Sequence, residues 1–181
     1  VPQGVSVLGV DLSGQSKSAA RAAVCAAADA VLSEAKVVLQ LGEDTYAISG
    51  GEVSLSYDVE AVLSRALAYA PPEKGEPGIV DVTNRDAPGE FNDIFTYDQA
   101  ALARAVAAIA AKFDIEPVDA VGEPTMNEDH TVTFQYQDGQ NGRALDVAAT
   151  VEKIESMFEK GVYSAQIDGV YGEVEPAITA A

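Results

Sequence analysis

One imidazole and one thiol are available for nucleophilic catalysis in this 181-residue chain, those of His130 and Cys25. An activated Ser, Thr or Cys needs a base within hydrogen-bond reach, so any histidine-based triad would have to form around His130. That residue ends the run Asn127-Glu128-Asp129-His130, whose composition is that of an exposed turn. Cys25 lies in Ala-Ala-Val-Cys-Ala-Ala-Ala, where an unpaired cysteine is expected to pack as a small apolar side chain. Being alone, it forms no internal disulfide. Carboxylate pairs of the kind that hydrolyse glycosidic bonds arise by chance among 29 acidic residues. No one pair stands out, and tryptophan, the usual ring for stacking sugars, is absent. No catalytic residue is assigned.

Metal and ligand binding give a shorter set. Asp138-Gly139-Gln140-Asn141-Gly142 has a superficial likeness to a calcium loop but lacks the alternating oxygen ligands and the closing Glu, so it reads as a turn. Glu128, Asp129 and His130 offer donors with nothing to orient them. No metal and no cofactor is expected. Arg143 is more informative, being one of 11 basic residues and lying between that Gly-rich loop and a capped helix. Its planar fork could clasp the carboxylate of a peptide, or it could tie the loop to a neighbouring carboxylate or to helix-end carbonyls. The internal role is favoured, because Arg in small domains is usually paired within the fold. Arg143, Asn141 beside it, and the tail tyrosines Tyr163 and Tyr171 form the candidate ligand-binding set. Tyr46, Tyr57 and Tyr136 share the phase of their apolar neighbours and are expected in the core with the hydroxyl at its edge.

Bulk charge narrows the partners. Eleven basic against 29 acidic residues leave −18. A nucleic-acid backbone or an anionic lipid surface would be repelled by such a field. Peptidoglycan stems and teichoic acids also carry anions, so any contact with a wall must use short-range hydrogen bonds, stacking or bridging cations. Hydrophobic residues at 48% supply ample core for one domain or two small ones. No apolar stretch is long enough to span a bilayer. The ends, Val1-Pro2-Gln3 and Ala180-Ala181, read as those of an excised piece whose flanks are missing.

The elements that would position these residues follow from periodicity. Val5, Val7 and Val10 suggest a strand, and Ser16 caps an Ala-rich helix from Lys17 to about Leu32. A hairpin follows, with Val37, Leu39 and Leu41 going out, Gly42-Glu43-Asp44 turning, and Tyr46 and Ile48 returning. Val53, Leu55 and Tyr57 alternate again. Asp58 then caps a helix with Val59, Val62, Leu63, Ala66 and Leu67 on one face. Between Pro71 and Asp93, prolines, glycines and acids dominate, with one short strand at Ile79–Val82. Beyond this seam Thr96 and Asp98 open a helix with Leu102, Val106, Ile109 and Phe113 inward. A strand from Val118 to Met126 and one through Val132, Phe134 and Tyr136 form a second hairpin. Asp146 caps a helix carrying Val147, Val151, Ile154 and Phe158, and a strand-like tail runs from Val162 to Ile178. The predicted fold is α+β: two diverged helix–β-hairpin–helix repeats with antiparallel sheets covered by amphipathic helices. The first repeat spans residues 1–70, an acidic Pro/Gly-rich connector 71–94, and the second repeat with its tail 95–181.

The motifs now in order resemble the peptidoglycan-binding domain that precedes the catalytic domain of some L,D-transpeptidases and the VanW domain of VanW-type proteins. The resemblance rests on Gly4-Val5-Ser6-Val7-Leu8-Gly9-Val10-Asp11-Leu12-Ser13-Gly14 before a helix, Tyr57-Asp58, Pro117-Val118-Asp119-Ala120, Gly142-Arg143-Ala144-Leu145-Asp146 and Glu175-Pro176-Ala177-Ile178-Thr179. It implies an extracytoplasmic, wall-facing α+β module that follows a membrane anchor and precedes a companion domain, with peptidoglycan as partner. It supplies no binding residue. The transpeptidase signature of the neighbouring domain places His and Gly shortly before a nucleophilic Cys, whereas Cys25 here follows Ala22-Ala23-Val24. The chain is therefore expected to be non-catalytic, serving either as a binding and positioning module or as a structural pedestal without a ligand. A carboxylate-based glycoside hydrolase is the remote alternative.

Overall fold

The computed structural model describes residues 1–69 and 89–179. Among the described residues four helices each start where a side chain accepts a backbone N–H that the first turn leaves without a partner. Ser16 accepts from Ala19 to open α1 (Lys17–Glu34), and Asp58 from Ala61 to open α2 (Val59–Ala68). Asp98 accepts from both Ala100 and Ala101 at α3 (Gln99–Phe113), and Asp146 from Ala149 at α4 (Val147–Glu159). Thr96, expected to help start the third helix, lies in a short strand just before the cap.

Twelve strands join them among the described residues. The expected first strand folds back on itself as β1 (Ser6–Val7) and β2 (Val10–Asp11), turning through Leu8 and Gly9 at φ 49° and 74°. Two successive residues in the left-handed region match the twist of a tight hairpin. The predicted hairpin forms as β3 (Lys36–Leu41) and β4 (Asp44–Ser49). The alternation at Val53 and Leu55 is not a strand, because residues 51–54 turn under Glu52, whose carboxylate accepts the Ser49 amide at 2.7 Å and hydroxyl at 2.8 Å. Only β5 (Ser56–Tyr57) is extended there, paired with β7 (Phe95–Thr96). Before β7 comes β6 (Glu90–Phe91), and after α3 the second hairpin, β8 (Val121–Met126) with β9 (Val132–Gln137). Gly142, expected in a loop that runs directly into a cap, instead begins β10 (Gly142–Leu145). The tail forms β11 (Ser164–Asp168) and β12 (Tyr171–Val174).

The chain is α+β, but its sheets are not all antiparallel. β6 lies parallel to β1, and β11 parallel to β3, with Ser164 beside Lys36 and Asp168 beside Gln40. The reason is an open edge. The chain leaving α4 at Gly161 runs along the side of β3 that β4 does not pair and satisfies its backbone groups.

Packing crosses the predicted halves. One cluster sets Val37, Leu39, Leu41 and Ile48 of the first hairpin against Leu102, Val106, Phe113, Ile154 and Phe158 of α3 and α4. The other sets Val5, Val7 and Leu12 against Val24 of α1, Val62 and Leu63 of α2, and Phe91 and Ile94. Arg21 and Glu60, at 2.8 Å, link α1 to α2 on the surface. The order helix, hairpin, helix occurs twice, yet the hairpins are not equivalent. β3–β4 is packed, while every residue of β8 and β9 is exposed. This corrects the expectation that helices cover each sheet, since α3 and α4 already apply their apolar faces to the first hairpin. The strand expected at Ile79–Val82 lies outside the described residues.

Candidate functional site

The two residues with nucleophilic or basic potential sit in unrelated surroundings. His130 is exposed at the β8–β9 tip with φ 63°, its amide donating to the Asn127 carbonyl at 3.1 Å. Cys25 is half-buried rather than fully packed, because it faces a shallow depression shared with Arg21, Tyr57, Asp58, Val59 and Glu60. In that depression the Tyr57 hydroxyl donates to Asp29 at 2.6 Å. That hydrogen bond, with partial burial adding to it, pushes the phenol up to about 12, so it is no base at neutral pH. Among the described residues no three His, Cys, Asp or Glu side chains gather as a metal-binding group. No helix among them is long and apolar enough to cross a membrane.

Three of the four candidate ligand-binding residues do meet. β10 pairs antiparallel with β12, which sets Arg143 opposite Glu173 and Leu145 opposite Tyr171. Arg143 Nε donates to the carbonyl of Phe113, the last residue of α3, at 3.0 Å, and Nη2 reaches Asp44 at 3.3 Å. The guanidinium lies 4.2 Å above the Phe113 ring, and the Tyr171 ring meets that same ring edge-on at 5.1 Å. Asn141 Nδ2 donates to Glu173 at 3.1 Å. The cation thus closes a helix C-terminus, where the dipole favours it, and stacks on an aromatic face. Its side chain remains 37% exposed, but Asp44 already partners it and Glu173 stands across the strand pair. An incoming carboxylate would find the fork partly used and two negative neighbours. Tyr163 is elsewhere, packed between Phe95 at 4.7 Å and Phe158 at 5.4 Å. Phe113 and Asp44 could not be read as Arg143's partners in sequence, lying 30 and 99 positions away.

A second surface, missed by the sequence reading, is the β8–β9 ribbon. Residues directly opposite in an antiparallel pair share a face. The pairs Gly122–Tyr136, Pro124–Phe134 and Met126–Val132 therefore form one apolar face, and Glu123–Gln135 with Thr125–Thr133 the polar one. Tyr136 is 72% exposed and Phe134 54%, their rings stacked at 6.1 Å with planes 25° apart. Tyr136 is thus not the core residue its alternation suggested, whereas Tyr46 and Tyr57 do pack at the edges of the two clusters. A side chain at Gly122 would come within 3.1 Å of the Tyr136 ring, so glycine lets the ring lie across β8. The ribbon is braced at both ends. Val118 and Gln140 exchange backbone hydrogen bonds at its base, Ala120 donates to the Ile178 carbonyl at 2.9 Å, and Asp129 accepts from Thr131 at the tip. The signal was available in part: glycine and proline within a strand argue against a covered central position.

Comparison with known proteins gives one family. A family model described as "Putative peptidoglycan binding domain" matches residues 46–163, close to two thirds of the chain. The match takes in the whole ribbon, Arg143, Asn141 and the three inner motifs, and leaves Tyr171 and the N- and C-terminal motifs outside. No curated protein and no solved structure matches.

Proposed function

Because the chain belongs to this peptidoglycan-binding domain family, we propose that it is a non-catalytic, extracytoplasmic module of a cell-envelope protein that holds a companion domain against peptidoglycan. The match over residues 46–163 carries the reading. The separate surroundings of His130 and Cys25 support its non-catalytic side. Its anchor is a membrane segment beyond this piece, and its companion an L,D-transpeptidase or VanW-type domain. The wall is engaged at short range, since a chain of −18 gains nothing from bulk attraction to a polymer bearing carboxylates. Arg143, Asn141 and Tyr171 offer a secondary contact for a stem-peptide carboxylate, weakened by the internal partners of Arg143. Tyr163 adds at most a structural contribution to it, given its place between two phenylalanines.

Those same internal partners favour a second reading, a pedestal with no ligand. Co-sedimentation with purified, teichoic-acid-free peptidoglycan separates the two. The binding module is retained at low and at physiological ionic strength, with or without calcium. Loss of the protein to the supernatant under all of these conditions would leave only the pedestal.

A further inference from the structure

We propose that the apolar face of the β8–β9 ribbon is the surface on which a neutral glycan strand of the wall stacks; this rests on the peptidoglycan reading and names its contact. Three observations carry it. First, the face is built from Met126, Val132, Pro124, Phe134 and Tyr136, none of which carries a charge, on a chain of −18. The one formal charge within the two strands, Glu123, points to the other face. A surface from which charge has been removed suits sugar rings rather than the anionic stems. Secondly, Phe134 and Tyr136 are both exposed and hold their ring planes within 25° of each other at 6.1 Å, and the absence of a side chain at Gly122 leaves room for the Tyr136 ring beside the partner strand. Flat aromatic faces meet the C–H faces of pyranose rings as they meet other apolar planes.

Thirdly, the dimensions fit a strand and not a folded partner. Six residues per strand and two strands give a strip about 20 Å long and roughly 200 Å² in area. A stable protein–protein interface needs about 800 Å² from each side. A companion domain or a second copy would find too little surface here, whereas an extended polysaccharide runs along such a strip. The hydrogen bonds at both ends hold the strip in shape before anything binds, which lowers the ordering cost of contact.

The test compares the parent chain with Phe134→Ala/Tyr136→Ala, Tyr136→Phe and Arg143→Ala, using teichoic-acid-free peptidoglycan and, separately, uncharged N-acetylglucosamine oligomers followed by tyrosine fluorescence. Both rings are exposed, so thermal melts of the ring variants should match the parent. Removing each ring should weaken binding roughly tenfold, and both together about a hundredfold. Tyr136→Phe should stay within about twofold of the parent, because stacking survives loss of the hydroxyl. If the parent is retained and the double variant is retained equally, the ribbon assignment is wrong while the peptidoglycan reading stands, and Arg143→Ala then reports whether the β10 patch is the contact. If the parent is not retained, both fall. A parent that dimerises while the double variant is monomeric would reassign the strip as a self-interface and overturn the proposal.

Discussion

Replacing Gly142 by alanine should damage the fold far more than the same change at Gly172, although both lie in one two-stranded sheet. An added methyl at 142 would stand 2.2 Å from the Ile115 carbonyl oxygen, 2.6 Å from the Pro117 nitrogen and 2.8 Å from its Cδ. Two of these three are backbone atoms, so no side-chain rotation relieves the clash. β10 and the 115–117 segment must separate. Next to the clash, Ile115 and Arg143 exchange two hydrogen bonds of 2.9 Å, which such a separation would stretch. Overpacking costs about 1–3 kcal/mol and each weakened hydrogen bond about 0.5–1.5 kcal/mol, so a loss of about 3 kcal/mol is expected. For a chain of this size that lowers Tm by about 6–12 °C. A methyl at Gly172 meets nothing within 4 Å, and alanine there should be neutral or stabilise by a few tenths of a kcal/mol through the unfolded chain. Urea titrations of the two variants give the comparison directly. Equal midpoints for Gly142→Ala and Gly172→Ala would show that the close approach of β10 to the 115–117 segment is not a feature of the folded protein.

Asp58→Ala and Asp146→Ala should each cost about 1 kcal/mol in urea denaturation through a lost cap, and the double variant should show their sum, because the two helices belong to different clusters. Thr150→Val keeps the shape of the one fully buried polar side chain among the described residues but leaves the Val170 amide without its 3.0 Å partner. It should therefore lose about 1–3 kcal/mol despite adding an apolar group. In an ultraviolet titration Tyr57 should ionise near about 12, and Asp29→Ala should return it toward the ordinary 10. Its folded pKa is raised, so the stability difference between parent and Tyr57→Phe should be constant below pH 10 and vanish as pH climbs toward about 12. Retention on peptidoglycan should hold or rise as salt is added, the opposite of a basic wall-binding segment, and can be followed by the same sedimentation assay.

What could be read in the sequence was what short stretches decide by themselves. Ser16, Asp58, Asp98 and Asp146 cap helices because an oxygen at that position reaches an amide two or three residues on, whatever the rest of the chain does. The hairpin around Gly42 was equally local, with its φ of 64° supplied by the residue that tolerates it. Alternation failed where it was asked a non-local question. Val132, Phe134 and Tyr136 share a face as expected, but period two says only which side chains go together, not whether anything covers them. The cover for β8–β9 was unreadable because it depended on where α3 and α4 went, and they went to residues 37–48. The parallel pairing of Ser164–Asp168 with β3 was hidden in the same way, since an edge strand advertises its open side only once the sheet exists. Arg143 was read closest to its observed surroundings, because Arg in small domains is usually paired within the fold, although the particular carbonyl, that of Phe113 at the C-terminal end of α3, lies 30 positions away.

The charge and the ribbon bear on one another. A chain of −18 meeting a polymer that also carries carboxylates is repelled at long range, and at physiological ionic strength that repulsion fades within about 8 Å. Contact must then come from groups that act only on touching and that do not add to the repulsion. Arg143 meets the second condition poorly, since Asp44 and Glu173 travel with it. The face carrying Phe134 and Tyr136 meets both, standing on an exposed ribbon that no helix among the described residues covers and bearing no charge on that side. Acidity and stacking therefore divide the work. Under the proposed assignment the acidic body is repelled by the stems, and attachment is left to a strip whose contact does not depend on charge.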